Sequence, residues 1–156
     1  MCRNSMQKKM YAKKLLIKSR LVYIFISLIV LFSGIIIYIF FRNINNMIIF
    51  NFIPKPAFIN ALNIPKQPVS IWNQIFIYNL PYGLWCLSGL LLIRSIWLNN
   101  KKWYTIYRNI FIILVMSYVI LKLPRKIPGT FDILDLVFMG LFAFLESIIY
   151  TQFFRR

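Results

Sequence analysis

Residues 21–41 read LVYIFISLIVLFSGIIIYIFF and contain no charged side chain. As a helix this stretch rises about 31 Å, which matches a hydrocarbon core of about 30 Å. It is preceded by a basic start, Arg3, Lys8, Lys9, Lys13, Lys14, Lys18 and Arg20, and followed by Arg42-Asn43. A secretory signal peptide shares the basic start, but its apolar part is shorter and ends at a small-residue cleavage site, which is missing here. The stretch therefore reads as an uncleaved signal-anchor helix behind a basic tail over 1–20.

The rest of the chain has the same character. Sixty per cent of its 156 residues are hydrophobic and 14% are charged, where a soluble domain carries about 25%. The only acidic residues are Asp132, Asp135 and Glu146. The apolar residues come in long blocks, without the helical or strand period of a half-buried surface. Three further blocks fit membrane spans, at about 78–98, 105–122 and 132–154. The expected fold is all-α: a four-helix transmembrane bundle over 21–156.

Pro54, Pro56, Pro65 and Pro68 interrupt the connection between the first two spans and forbid one continuous helix there. Its Ile, Phe and Trp content predicts a Pro-rich loop lying on the membrane surface or a small cap over the bundle. Pro81 is expected in the first turn of the second span, where a missing N–H is tolerated. Thr130 is expected to cap the fourth, with Asp132 in its acidic first turn.

Charge orients the bundle. With the N-terminus inside, the cytoplasmic ends hold the seven basic residues of the tail, then Arg94, Lys101, Lys102, Arg108, Arg155 and Arg156. The outer ends hold Arg42, Lys55, Lys66, Lys122, Arg125 and Lys126. This bias follows the positive-inside rule and predicts both termini in the cytoplasm. Because the basic residues lie between apolar blocks, the formal charge of +16 is topological, and a nucleic-acid partner is not expected. The expected partners are membrane lipids and other membrane subunits.

The chemistry of the chain is limited. There is no histidine, and the two cysteines, Cys2 and Cys86, sit in unlike surroundings, so neither a metal site nor a disulfide framework is expected. No Ser/His/Asp set and no phosphate-binding glycine loop occurs, so neither catalytic residues nor a cofactor are expected. Two constellations remain. The topology brings the entry of the second span, with Asn79, Tyr82 and Trp85, to the same outer face as Asp132 and Asp135. These residues form a candidate polar site, or turn, cap and interfacial chemistry only. The second constellation is centred on Glu146 near the middle of the fourth span. Asp135 and Glu146 differ by about 20° around a helix and lie about 16 Å apart along it, and Asp132 shares the stripe. A common stripe predicts that it faces the bundle interior, where a deep carboxylate needs a cation. Arg94 first, then Arg108, reach its depth. The pair is a structural ion pair or part of an ion or proton relay.

The run Pro-Gly-Thr-Phe-Asp-Ile-Leu-Asp leading into the last span resembles the ending of VanZ-like proteins, small bacterial membrane proteins named after a teicoplanin-resistance factor. Their proline, glycine and paired aspartates fall here on Pro128, Gly129, Asp132 and Asp135. Asn79-Leu-Pro-x-Gly-Leu-Trp85 and Tyr38-Ile-Phe-Phe-Arg42 are similar to a four-helix subgroup from Bacteroidetes-type bacteria. The resemblance implies a four-helix fold and a place in the bacterial inner membrane, and little about activity; the first reading of the chain is a non-enzymatic protein of the cell envelope with a polar site at its outer face. The chain departs from the family pattern at Tyr82, where the relatives carry Asp, and around Tyr118 and Leu121, where they carry Glu and Gln. The alternatives are an accessory subunit of a larger membrane complex, and a small channel, transporter or membrane effector using Glu146.

Overall fold

The computed structural model describes residues 2–41, 70–122 and 132–154. They form four helices: α1 (Cys2–Phe41), α2 (Ile71–Ile96), α3 (Lys101–Ile120) and α4 (Ile133–Phe154). Each is long and apolar enough to cross a membrane, and no strand occurs among the described residues. The chain thus has the all-helical, four-helix architecture of a multi-pass membrane protein. The Pro-rich stretch 42–69, the connection 123–131 and the expected cap Thr130 lie outside the described residues.

The helix boundaries differ from the expected ones in three places. α1 begins at Cys2, so the change at residue 20 is one of composition, and the helical backbone crosses it. α2 starts at Ile71, seven residues earlier than expected, which puts Pro81 inside the helix and not in its first turn. Pro81 is fully buried; in a membrane bundle neighbouring helices tolerate such an interruption because local adjustment re-satisfies the freed backbone groups. α3 starts at Lys101, with the Asn100 side chain accepting from the backbone N–H of Trp103 at 3.3 Å. A polar residue of this kind satisfies one of the unpaired donors at a helix start. At the start of α4 the Asp132 carboxylate accepts from the Leu134 N–H at 2.9 Å, so an aspartate caps this helix.

α2 is the hub. It packs most extensively on α1, then on α4, and less on α3. Close approach is built in by glycine. A Cβ on Gly34 would stand 2.7 Å from Trp85 Nε1, and one on Gly83 would collide with the Phe142 ring. Small residues at such crossings are what lets helices associate in lipid, where burial of apolar surface gives no drive. Ser27 and Ser88 add a buried polar cross-link between α1 and α2: their hydroxyl oxygens are 3.0 Å apart, and each also reaches the other's backbone carbonyl. The core is a thin apolar layer of Cys86, Leu90, Val119, Met139 and Ala143. α3 is the outlying helix. Only 11% of its span is buried, against 39% for α2, so most of its surface faces outward.

Candidate functional site: two polar clusters at opposite ends of the bundle

α1 and α2 run antiparallel, since Tyr23 reaches Arg94 while Tyr38 reaches Trp85. α3 returns antiparallel to α2, so each end of the bundle collects residues from all four helices. One end holds Tyr23, Arg94, Tyr104, Glu146 and Tyr150. The other holds Tyr38, Tyr82, Trp85, Lys122 and Asp135.

At the first end the structure brings Arg94 and Glu146 together, with Arg94 Nη1 3.5 Å from Glu146 Oε1 and both side chains at 0% exposure. This is the one ion pair among the described residues. The carboxylate has a closer partner in Tyr104, whose hydroxyl lies 2.7 Å from Oε1 and 2.6 Å from Oε2 and donates its single proton between them. Tyr104 stacks on Tyr150, with ring centroids 4.4 Å apart. The Arg94 guanidinium lies over the faces of Tyr23 at 4.6 Å and Tyr150 at 5.4 Å. Ring faces attract a cation electrostatically, most strongly where water is excluded. Arg108 stands two turns into α3, deeper than a start at 105 would place it, and is outside salt-bridge distance of Glu146. Its Nε is buried without a hydrogen-bond partner among the described residues.

At the second end, Asn79 is 2% exposed and Asp135 3%; Tyr82, Trp85 and Asp132 are half-buried. The same end holds Lys122, just past the end of α3 and also 3% exposed. Its ammonium donates to the Tyr82 hydroxyl at 3.2 Å and lies over the rings of Tyr82 and Tyr118 at 4.5 and 5.2 Å. Tyr82 meets Trp85 edge-on at 5.7 Å, and Trp85 meets Tyr38 of α1 at 5.4 Å. No carboxylate lies within 4 Å of Lys122 among the described residues. Two buried polar atoms here have no hydrogen-bond partner among the described residues, Asn79 Oδ1 and Trp85 Nε1.

The two clusters are separate. Tyr82 and Arg94 are about 18 Å apart along α2, and the apolar layer of Cys86, Leu90, Met139 and Ala143 lies between them. Sequence reasoning missed Tyr104, Tyr23, Tyr150 and Lys122. The tyrosines look like interfacial aromatics, and Lys122 counts as a topological charge. The available signal was depth: Tyr104 is four residues before Arg108 on α3 and so one turn from a group already singled out. No residue cluster capable of holding a metal ion occurs among the described residues. No family model, curated protein or solved structure matches the chain.

Proposed function

We propose that the chain is a non-enzymatic, multi-pass protein of the bacterial inner membrane, akin to VanZ-like envelope proteins, with both termini cytoplasmic and its working site at the Tyr82–Lys122 end, facing outward. The observation that carries this reading is the contrast in charge pairing: Glu146 meets a cation, while Lys122, 3% exposed, meets no carboxylate among the described residues. Glu146 is sealed at 0% exposure and held by Arg94 and Tyr104, which suits a structural lock. Lys122 is a buried cation held by one hydroxyl and two rings, which suits a site awaiting a partner. Intramembrane ionisable groups mark functional paths by default, but a relay needs a continuous run of exchanging groups. Here an apolar layer parts the clusters, which supports passive binding over transport. The VanZ-like kinship is supported by the Pro128–Asp135 run, while at Tyr82 the chain departs from the aspartate that the relatives carry.

The experiment is a labelling scan with Cys2 and Cys86 replaced by serine. Asn60→Cys should react with an impermeant maleimide from outside intact cells, and Asn99→Cys only after permeabilisation. Reaction of Asn99→Cys from outside would reverse the orientation and remove the outward site. Asp132→Ala and Asp135→Ala should alter the phenotype of a deletion strain complemented with the gene. Full complementation by both would reduce this end to helix capping.

A further inference from the structure

An ammonium carries three donors and no acceptor. Lys122 uses one of them, on Tyr82, although only 3% of the residue is exposed. Asn79 stands on α2 three residues before Tyr82, so it shares that face within one helical turn. Its Oδ1 is a buried acceptor with no hydrogen-bond partner among the described residues. Buried polar atoms are almost always paired, and leaving a donor or an acceptor unmade costs more than a made bond returns. One end of the bundle thus holds unused cationic donors on Lys122, walled by the rings of Tyr82 and Tyr118, and an unused acceptor on Asn79, one helical turn from Tyr82. The complementary ligand has an anionic oxygen for Lys122 and a hydroxyl to donate to Asn79.

We infer that Lys122, Asn79 and Tyr82 form a binding site for a phosphate ester whose head carries a free hydroxyl, such as a glycerol phosphate. A charge-assisted bond from the ammonium to a phosphate oxygen is about twice as strong as a neutral one, and the hydroxyl sets the preference over a head without one. The site lies at the end of α3, just beyond its candidate membrane span. The inference rests on the site named under the proposed function, though not on which side of the membrane that site faces.

The test is native mass spectrometry of the full-length protein in mild detergent. The probes are dioleoyl phosphatidylglycerol, dioleoyl phosphatidylcholine and sn-glycerol 3-phosphate. Wild type should hold phosphatidylglycerol about tenfold more tightly than phosphatidylcholine, and Lys122→Gln and Asn79→Leu should each erase that preference. Lys122→Arg keeps the charge and should retain it, which guards against mere misfolding. Lys102→Gln, an exposed lysine at the other end, should leave it unchanged, which guards against general charge attraction. Competition by millimolar sn-glycerol 3-phosphate would support the same chemistry with a soluble source; failure to compete would assign it to the lipid. Equal affinity for the two lipids, or a preference that survives both Lys122→Gln and Asn79→Leu, overturns the site and leaves a structural water as the bridge. In detergent the protein has no sidedness, so a reversed topology and an absent site give different results.

Discussion

At the end of the bundle that carries the basic start of α1, a carboxylate meets a guanidinium and a phenol, so a buried charge is matched by its opposite. At the other end, among the described residues, a lysine meets a phenol and two rings but no carboxylate, and the Asn79 amide oxygen has no hydrogen-bond partner. Both clusters draw on all four helices and both are buried, so burial alone does not separate a lock from a site. What separates them is whether the buried charge meets an opposite charge among the described residues. A buried ion pair seldom adds net stability over apolar packing, yet breaking it from one side is severe because a bare charge remains. A buried cation without its anion is in the reverse condition, and removing it costs little.

The comparison breaks first at Arg94. Arg94→Leu should cost about 3–5 kcal/mol by leaving Glu146 charged and unpaired, read as a collapse of monodisperse yield in detergent. Glu146→Gln should cost less, since an amide still bonds Tyr104 and Arg94. Combining the two should recover part of the Arg94→Leu loss; a double variant equal to the simple sum would show that the contact carries no coupling. Tyr104→Phe comes next. It removes a bond to a charged group, about 1.5–3 kcal/mol, and should lower the thermal midpoint while keeping a folded species by circular dichroism. Loss of the fold would mean that the phenol, not the guanidinium, is the main partner of Glu146. Ser27→Ala with Ser88→Ala should follow at about 0.6 kcal/mol, the mean for interhelical hydrogen bonds in membranes, measured as a small shift of the same midpoint. Lys122→Gln should be nearly silent in stability, with its effect confined to ligand retention. A loss as large as that of Arg94→Leu would make the second cluster a lock as well.

Much of this was legible in the sequence. Charge-free runs of about 20 residues can be satisfied only as spanning helices, so the helix count followed directly. The common stripe of Asp135 and Glu146 placed Glu146 inward, and residue counting put Arg94 at its depth. The helix ends were less legible. Ile71–Ile77 mixes Trp72, Asn73 and Gln74 with apolar residues and reads as surface loop, and a proline reads as a boundary until neighbouring helices are seen to cover it. Tyr104 and Lys122 were hidden for a different reason. A tyrosine carries no charge to demand a partner, and a lysine at a helix end has solvent as its cheapest explanation. Only packing reveals that this lysine is enclosed.

Proton flux tests most directly whether the sealed pair is a lock. Purified protein reconstituted into liposomes, with a pH-sensitive dye inside and a potassium-diffusion potential across the membrane, should show no flux above empty liposomes, and Glu146→Gln should change nothing. A flux in wild type that Glu146→Gln abolishes would contradict the account, because protons would then be crossing the apolar layer of Cys86, Leu90, Met139 and Ala143 through a carboxylate read here as closed.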